Sequence, residues 1–518
     1  MPKIVWDNAL DGLSVNSENL GSDGMYAEAR DIDPQREYGF VKPGFTETVI
    51  RSNTGGTDLM GGLIVDAKLD PEASNIYAIN ATAIHKINAT SDAFTSDANW
   101  PHELPADSTY NKYLRFYNVQ STTYLFYALA RRLGASDVSV PTFHDTWSSA
   151  IPSGAATFQV GLHPMTEFGI KLWIGNGRYL ASLDGSIAPD GELNATALTL
   201  AIGWEITSLF TTENYIGICA SRESSSSTLK SECRVFFWDG TTDDVNYSIP
   251  IEDNKIINSF NNNGVIYLIT EGRGFGAVLR RLTSIERGAK AEVIRNLSFD
   301  INGTNRLFYN SDAGAGQIVY PNTLDIFNNR ILIGANSEGF RNSIFTYGTT
   351  NPLYPDALLQ PYSSLTAPVA GGVGAVGFIG HLVRGNVYAS FHDGQSAKGF
   401  YWSKFSTGNS VNANIKYLYK DFGQKVKVNY VKVYFKDVVN STVSIALDTD
   451  FGTSNTIKDA NQNTNISHAR DGTISSKTFD QFNGKIECFA ARPTLTYSGG
   501  GVAISKIVLD YTTLIGDR

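Results

Sequence analysis

The chain of 518 residues has only three cysteines, Cys219, Cys233 and Cys488. An odd, sparse set argues against a disulfide framework. Cys219 and Cys233 could face each other across neighbouring strands, but two buried thiols are the expectation. Basic runs are also lacking. Arg131-Arg132 and Arg280-Arg281 are isolated pairs, and the net charge is −9. Nucleic-acid binders gain affinity by neutralising phosphates, so this balance speaks against sequence-specific nucleic-acid binding. No apolar run approaches the roughly 18 residues of a membrane span. The opening Met1-Pro-Lys-Ile-Val-Trp-Asp-Asn has no basic stretch followed by an apolar core, so no signal peptide is expected. Long amphipathic helices are missing as well. The best helix candidates, such as residues 121–133, are short and rich in aromatics.

What is present points to strands. Aromatic residues make up 12 % of the chain, with 25 Tyr and 28 Phe, and pleated surfaces accommodate such rings well. The 48 glycines sit with Asn, Asp and Ser between short apolar runs, the composition of many tight turns. The runs include Gly61-Gly-Leu-Ile-Val-Asp, Ile170-Lys-Leu-Trp-Ile-Gly, Tyr215-Ile-Gly-Ile-Cys and Arg330-Ile-Leu-Ile-Gly. Several strands end in Asp-Gly, as in Tyr179-Leu-Ala-Ser-Leu-Asp-Gly, Arg234-Val-Phe-Phe-Trp-Asp-Gly and Val387-Tyr-Ala-Ser-Phe-His-Asp-Gly. Asp-Gly favours a tight hairpin because glycine accepts positive φ.

Strand clusters recur over residues 61–90, 111–147, 159–200, 204–251, 255–297, 323–360 and 372–405. The repeat length of roughly 40–50 residues fits a four-stranded propeller blade. The pattern therefore predicts an all-β chain with a β-propeller of about seven blades over residues 56–410. An array of irregular sandwiches with the same turns is the competing architecture. After residue 410 apolar residues alternate with Lys, as in Lys425-Val-Lys-Val-Asn-Tyr-Val-Lys-Val-Tyr-Phe, and a C-terminal β-sandwich or jelly-roll-like domain is expected over 411–518. Residues 1–55 read as an extended arm that either closes the propeller or wraps a neighbouring subunit.

A search for chemistry assigns no catalytic residue, no cofactor and no metal ligand. The seven histidines, His85, His102, His144, His163, His381, His392 and His468, lack zinc-motif spacing. Asp448 and Asp450 could bind Ca²⁺ in a loop, but a solvated turn is the simpler reading. Gly272-Arg-Gly-Phe-Gly resembles a phosphate loop without the Lys-Ser/Thr that should follow, and a bend between strands accounts for it. The Gly371-Gly-Val-Gly-Ala-Val-Gly run reads as a close-packed strand entry. No Gly-x-Ser-x-Gly elbow occurs. Asp239-Gly-Thr-Thr-Asp-Asp and Asp393-Gly-Gln-Ser share only the Asp-Gly turn with the Asp-box repeats of propeller glycosidases. Trp402 with Tyr401, and Trp147 near His144, are candidate sugar-stacking rings, with core packing as the plainer expectation.

The chain resembles the β-propeller structural proteins of tailed-bacteriophage virions, of the tail nozzle, hub or tail-tip type. The resemblance rests on Gly12-Leu-Ser-Val-Asn, Ala29-Arg-Asp-Ile-Asp-Pro and the Phe40-Val-Lys-Pro-Gly-Phe-Thr turn. It extends to Val-Phe-Phe-Trp-Asp-Gly with Tyr247-Ser-Ile-Pro, to Gly264-Val-Ile-Tyr-Leu-Ile-Thr-Glu-Gly, and to the C-terminal Asp421-Phe-Gly region. It implies a non-enzymatic structural subunit, made in a host bacterial cytoplasm and incorporated into the virion tail. Its implied partners are copies of itself in a symmetric homo-oligomer and neighbouring tail proteins. A carbohydrate-binding, receptor-recognising or glycan-cleaving propeller is the alternative function, with a host-surface glycan as partner.

Overall fold

The computed structural model describes residues 2–7, 9, 12–13, 25–30, 32–37, 40–43, 45–52, 61–95, 97, 99–105, 113–129, 131–145, 147, 158–159, 161–187, 192–222, 232–272, 276–283, 290–297, 300–301, 305–306, 322–335, 343–349, 356–363, 375–383, 385–392, 399–409, 413–436, 442–450, 453–467, 474–498 and 503–514. The described elements are all strands, and they form a seven-bladed β-propeller joined to a curled C-terminal sheet.

Each blade is an antiparallel meander of four strands, numbered here from the axis outward. Blade 1 holds Asp66–Leu69, Asn75–Ile79, Ala83–Asn88 and His102–Glu103. Blade 2 holds Leu114–Val119, Thr122–Leu129, Arg132–Asp137 and Thr142–His144. Blade 3 holds Met165–Phe168, Lys171–Asn176, Tyr179–Asp184 and Glu192–Thr199. Blade 4 holds Glu205–Thr211, Ile216–Arg222, Glu232–Trp238 and Tyr247–Ile251, and blade 5 holds Lys255–Asn262, Val265–Gly272, Gly276–Thr283 and Lys290–Asn296. Blade 6 holds Leu324–Phe327, Arg330–Ala335, Ser343–Gly348 and Ala357–Ser363. The segment 121–133, a helix candidate by composition, is instead the hairpin at the middle of blade 2. Its run Thr122–Leu129 is apolar on both faces because both faces are covered.

That double covering explains the runs seen in the sequence. Successive strand residues point to opposite sides. In blade 3, Leu172 and Ile174 pack towards blade 2, while Trp173 between them packs towards blade 4. A separate apolar cluster fills each of the seven blade–blade interfaces. Two glycines are needed where aromatic rings cross the sheet. A Cβ on Gly217 would lie 2.1 Å from the Phe210 ring, and one on Gly134 would lie 2.1 Å from Tyr127.

Blade 7 closes the ring with strands from both ends of the propeller. Ala375–Gly380, Val387–His392 and Phe400–Asn409 supply three strands, and Phe45–Ser52 supplies the outermost. The rest of the N-terminal segment joins the C-terminal sheet. Lys3–Trp6 pairs with Ala503–Thr513, and Met25–Arg30 pairs with Asn414–Tyr417. Where the sequence suggested either closure of the ring or an arm reaching a neighbour, these described strands lie within their own chain.

The C-terminal sheet curls into a half-barrel with two facing layers. One layer runs Lys3–Trp6, Ala503–Thr513, Lys420–Lys436, Ile474–Phe479. The other runs Met25–Arg30, Asn414–Tyr417, Glu487–Ser498, Thr442–Thr449, Asn465–Ser467. Lys420–Lys436 turns the corner, pairing first with Glu487–Ser498 and then with Ala503–Thr513. Val426, Val428, Val431, Val433 and Phe435 face the interior between the layers, and the Lys residues of this strand face out.

This interior is continuous with the blade 5–blade 6 interface. Ile269, Leu279, Ile331, Phe345 and Leu359 of the blades belong to one cluster with Val433, Leu447, Leu495 and Ile507 of the sheet. Trp6 sits in that cluster at 1 % exposure, its Nε1–H donating to Leu418 O at 3.0 Å. A bidentate ion pair secures the seam: Arg330 Nη1 and Nη2 donate to Asp33 Oδ2 and Oδ1 at 2.7 and 3.1 Å. Both side chains are almost wholly buried.

Removing one member of such a pair strands the other charge in the core. Asp33→Ala is expected to destabilise the chain by about 3–5 kcal/mol, read as a lowered urea midpoint, and the double variant D33A/R330M to recover part of that loss. Burial also pushes the thiols of Cys219, Cys233 and Cys488 up to about 12. Maleimide labelling at neutral pH is therefore expected to modify none of them in the folded chain and all three in urea.

Candidate functional site

The first strands of the blades line the axis. Between them lies a cavity of about 410 Å³, bordered by residues of blades 1 to 6. Its charged lining groups are Asp66, Asp325, Lys68 and Arg115. Asp66 ends the apolar run 61–66 and enters the ring at 1 % exposure. Its Oδ1 accepts from Ala67 N–H at 2.8 Å and from Lys68 Nζ at 2.9 Å. Its Oδ2 accepts from Leu114 N–H at 2.6 Å, so one side chain ties blade 1 to blade 2. Asp325 repeats the device. It accepts from Ile326 N–H at 2.8 Å and from His381 N–H, which ties blade 6 to blade 7.

Burial raises the pKa of both carboxyls, and hydrogen bonds and the field of Lys68 oppose that rise. Arg115 also borders the cavity, its Nε donating to Glu167 Oε1 at 3.0 Å, and several neutral channel groups engage one another. Ser208 Oγ and Ser259 Oγ lie 2.7 Å apart, linking blades 4 and 5. Asn261 Nδ2 donates to Thr211 O across the same interface, and Asn322 Nδ2 donates to Val65 O at 3.0 Å. Serine hydroxyls on second strands add ties further out: Ser390 Oγ accepts Ile64 N–H and Ser221 Oγ accepts Ile256 N–H, both at 3.1 Å. The channel is thus lined by polar groups that fasten blade to blade. A hydrogen-bonding solute could enter beside Lys68, which is about one-third exposed.

A second, more open cavity of about 570 Å³ lies where blades 2 and 3 meet. It is lined by Tyr117, Asn118, Gln120, Glu167, Ile170 and Ser186 among others. Tyr117 OH donates to Ile170 O and accepts Gly185 N–H, so the ring is a rivet between the two blades.

The residues singled out in the sequence have varied fates. Trp402 is fully buried and Tyr401 nearly so, stacked into the blade 7 clusters. Trp147 is buried against Phe126. Asp448 accepts from Arg492 Nε and Thr494 Oγ1, whereas Asp450 accepts from Phe489 and Ala490 N–H, so the two carboxylates serve different partners. Cys219 and Cys233 lie on adjacent strands of blade 4, two register positions apart, as free buried thiols. Asp239 and Gly240 form the expected turn, with Gly240 at φ 84 and Asp239 Oδ1 accepting Thr241 and Thr242 N–H. Residues 273–275, the run 371–374, Asp393-Gly394 and His468 lie outside the described residues.

Among the histidines, His102 joins a small network that the sequence did not signal. Its Nε2 lies 2.9 Å from Asp145 Oδ1, which also accepts Tyr127 OH at 2.7 Å, and its ring stacks on Phe143. The network bridges the outer strand of blade 1 and blade 2. Among the described residues no group of three or more His, Cys, Asp or Glu is placed to hold a metal ion.

The titration of the axial carboxyls has a defined sign. A raised value means that the folded chain keeps protons that the unfolded chain releases above about pH 4. Their contribution to stability is full below that pH and is lost as pH rises through the raised values. The variant D66N/D325N is therefore expected to show a urea midpoint that falls less, between about pH 4 and 7, than that of the unaltered chain. Equal slopes would refute the assignment.

No protein-family model matches the chain, and no curated protein matches it. Among solved structures it is similar to the β-propeller domain of Cps50 (Swd1) from Myceliophteria thermophila, at 11 % identity and a TM-score of 0.43, covering 70 % of this chain and 100 % of that one. It is similar to the WD40 domain of Neurospora crassa Pan2, at 10 % identity and 0.42, covering 70 % and 96 %. It is also similar to a Bacillus subtilis glycoside hydrolase family 43 arabinoxylan arabinofuranohydrolase, at 10 % identity and 0.31, covering 90 % and 99 %. These likenesses assign no activity to the chain, whose propeller rests on its own strand pairing.

Proposed function

We propose that the chain is a non-enzymatic structural subunit of a bacteriophage virion, a tail component that assembles with copies of itself and with neighbouring tail proteins. The observation that carries this reading is the single core shared by the propeller and the C-terminal sheet. Two folded units that could flex about a linker are instead fused through blades 5 and 6 and sewn together by strands near the N-terminus. A block of this kind transmits force without hinging, because close-packed interiors resist compression. The axial carboxylates suit the same reading. They accept backbone N–H groups from the next blade and so stiffen the ring.

The expected outcome is that the purified chain forms a symmetric oligomer by electron microscopy, and that mass spectrometry finds it in purified phage particles. A chain that stays monomeric and is absent from particles would overturn the proposal. The axial cavity favours one second reading, a propeller that binds a glycan. Asp66, Lys68, Asn258 and Asn261 offer the donors and acceptors that sugar hydroxyls need. Glycan-array binding that is lost in Lys68→Met would support it.

A further inference from the structure

Charge is distributed unevenly along the chain. Residues 411–518 hold 13 Lys and Arg against 10 Asp and Glu, which leaves 29 against 41 in residues 1–410. Part of the positive charge lies on one surface, where the carboxylate cross-strand from Lys427, Glu487, is paired with Lys425 at 2.9 Å. On the outer face of the curled sheet, Lys427 and Lys432 alternate with the inward valines of their strand, and Lys506 stands on the neighbouring strand opposite Tyr434. Lys432 Nζ and Lys506 Nζ lie 5.1 and 4.6 Å from the centroid of the Tyr434 ring, one from each side of the pairing. No ion pair among the described residues involves Lys427, Lys432 or Lys506. Asp510 on this face is buried and accepts from Asn429 Nδ2 at 2.8 Å. Val5 and Tyr430 add partly exposed apolar surface.

The propeller offers the counterpart. In a four-stranded meander the turns after the first and third strands emerge on one face of the ring. On blade 1 these turns carry Glu72 and Asp97, and on blade 4 they carry Glu213, Asp243 and Asp244, all exposed. No ion pair among the described residues involves these five acids. Between the two acidic blades, the same turns of blades 2 and 3 carry Val140 and Ile170, 66 % and 67 % exposed, with Ile187 beside them. An apolar centre flanked by unpaired charge of one sign has the anatomy of an interface.

We propose that the basic outer face of the C-terminal sheet docks on this acidic turn face of a second copy of the chain, head to tail. The contact rests on the assembly reading above and names its surfaces. Because the two faces differ, the contact is heterologous, and repetition builds a closed ring or an open stack, according to the rotation between copies. Opposite potentials steer the encounter. The Tyr434 ring holds two ammonium groups in place beforehand, which reduces the ordering entropy of the contact. Val140 and Ile170 then leave water against Tyr430, Tyr434 and Val5.

The test is sedimentation of three chains: unaltered, K427E/K432E/K506E, and E72K/E213K/D243K/D244K, each checked for an unchanged melting profile. The unaltered chain is expected to associate at about 50 mM salt and to do so at least about tenfold more weakly at about 500 mM. Each variant alone is expected to stay monomeric, and an equimolar mixture to assemble again with the two chains alternating, one contact through the swapped faces and the next through the unaltered ones. If the unaltered chain assembles and neither variant changes that assembly, the docking surface is refuted while the assembly reading stands. If the unaltered chain remains monomeric at every concentration, both fall. A monomer whose retention on heparin is lost in K427E/K432E/K506E would overturn the proposal in favour of a polyanion partner.

Discussion

The second strands of the blades are buried on both faces, so no blade can exist without a neighbour on each side, and the whole depends on how the seventh blade is completed. That step is the pairing of Phe45–Ser52 with Phe400–Asn409. Without it, blade 7 would present an unpaired edge, a template for association with other chains. Blade 7 would also lose the cover over Phe405 and Trp402, which belong to the clusters on its two sides. Backbone hydrogen bonding at one place thus governs apolar burial at two interfaces.

The same economy appears at the axis. A first strand is short and faces its equivalents from the other blades, so its polar groups have little water to meet. Asp66 and Asp325 answer this by accepting N–H groups from the next blade, and Ser208 with Ser259 does so with hydroxyls. Rigidity and solubility of the channel come from one set of atoms. Any solute that reaches these carboxylates has to compete with the bonds that hold the ring together. At the blade 5–blade 6 interface the fold does something different. There the core does not stop at the ring but runs on between the layers of the curled sheet, with Asp33 and Arg330 fastening the seam.

Much of this was legible in the sequence. The strand clusters spaced by Asp-Gly and Gly-rich turns correspond to seven blades, because hairpins are local and leave local marks. The Lys alternation after residue 425 correctly signalled a sheet with one wet face. What escaped was non-local. Nothing in Phe45-Thr-Glu-Thr-Val-Ile-Arg-Ser names its partner near residue 405, and nothing in Asp33 points to Arg330. Residues 121–133, the best of the poor helix candidates and already inside the strand cluster 111–147, show why the two are hard to separate: a strand covered on both faces loses its period of two, and a continuous apolar run then resembles a buried helix. Asp66 did leave a trace, a charge closing an otherwise apolar run, but its partner Leu114 could not be read. The expected sandwich emerged as one sheet curled about the long strand Lys420–Lys436, because the bulge between Asp421 and Val426 lets that strand serve both layers.

The sewing of early strands to late ones also has a consequence for biosynthesis. Ser52 pairs with Tyr401, roughly 350 residues downstream, and Lys3 pairs with Asp510. At translation rates of about 5–20 residues per second, the first of these partners emerges about 18–70 seconds after the strand that awaits it. Throughout that interval the nascent polypeptide carries an unsatisfied strand ahead of a ring that cannot yet shut. Polypeptides interrupted before residue 400 are left permanently ajar, and this makes the synthesis of residues 400–409 the point at which productive maturation and aggregation diverge.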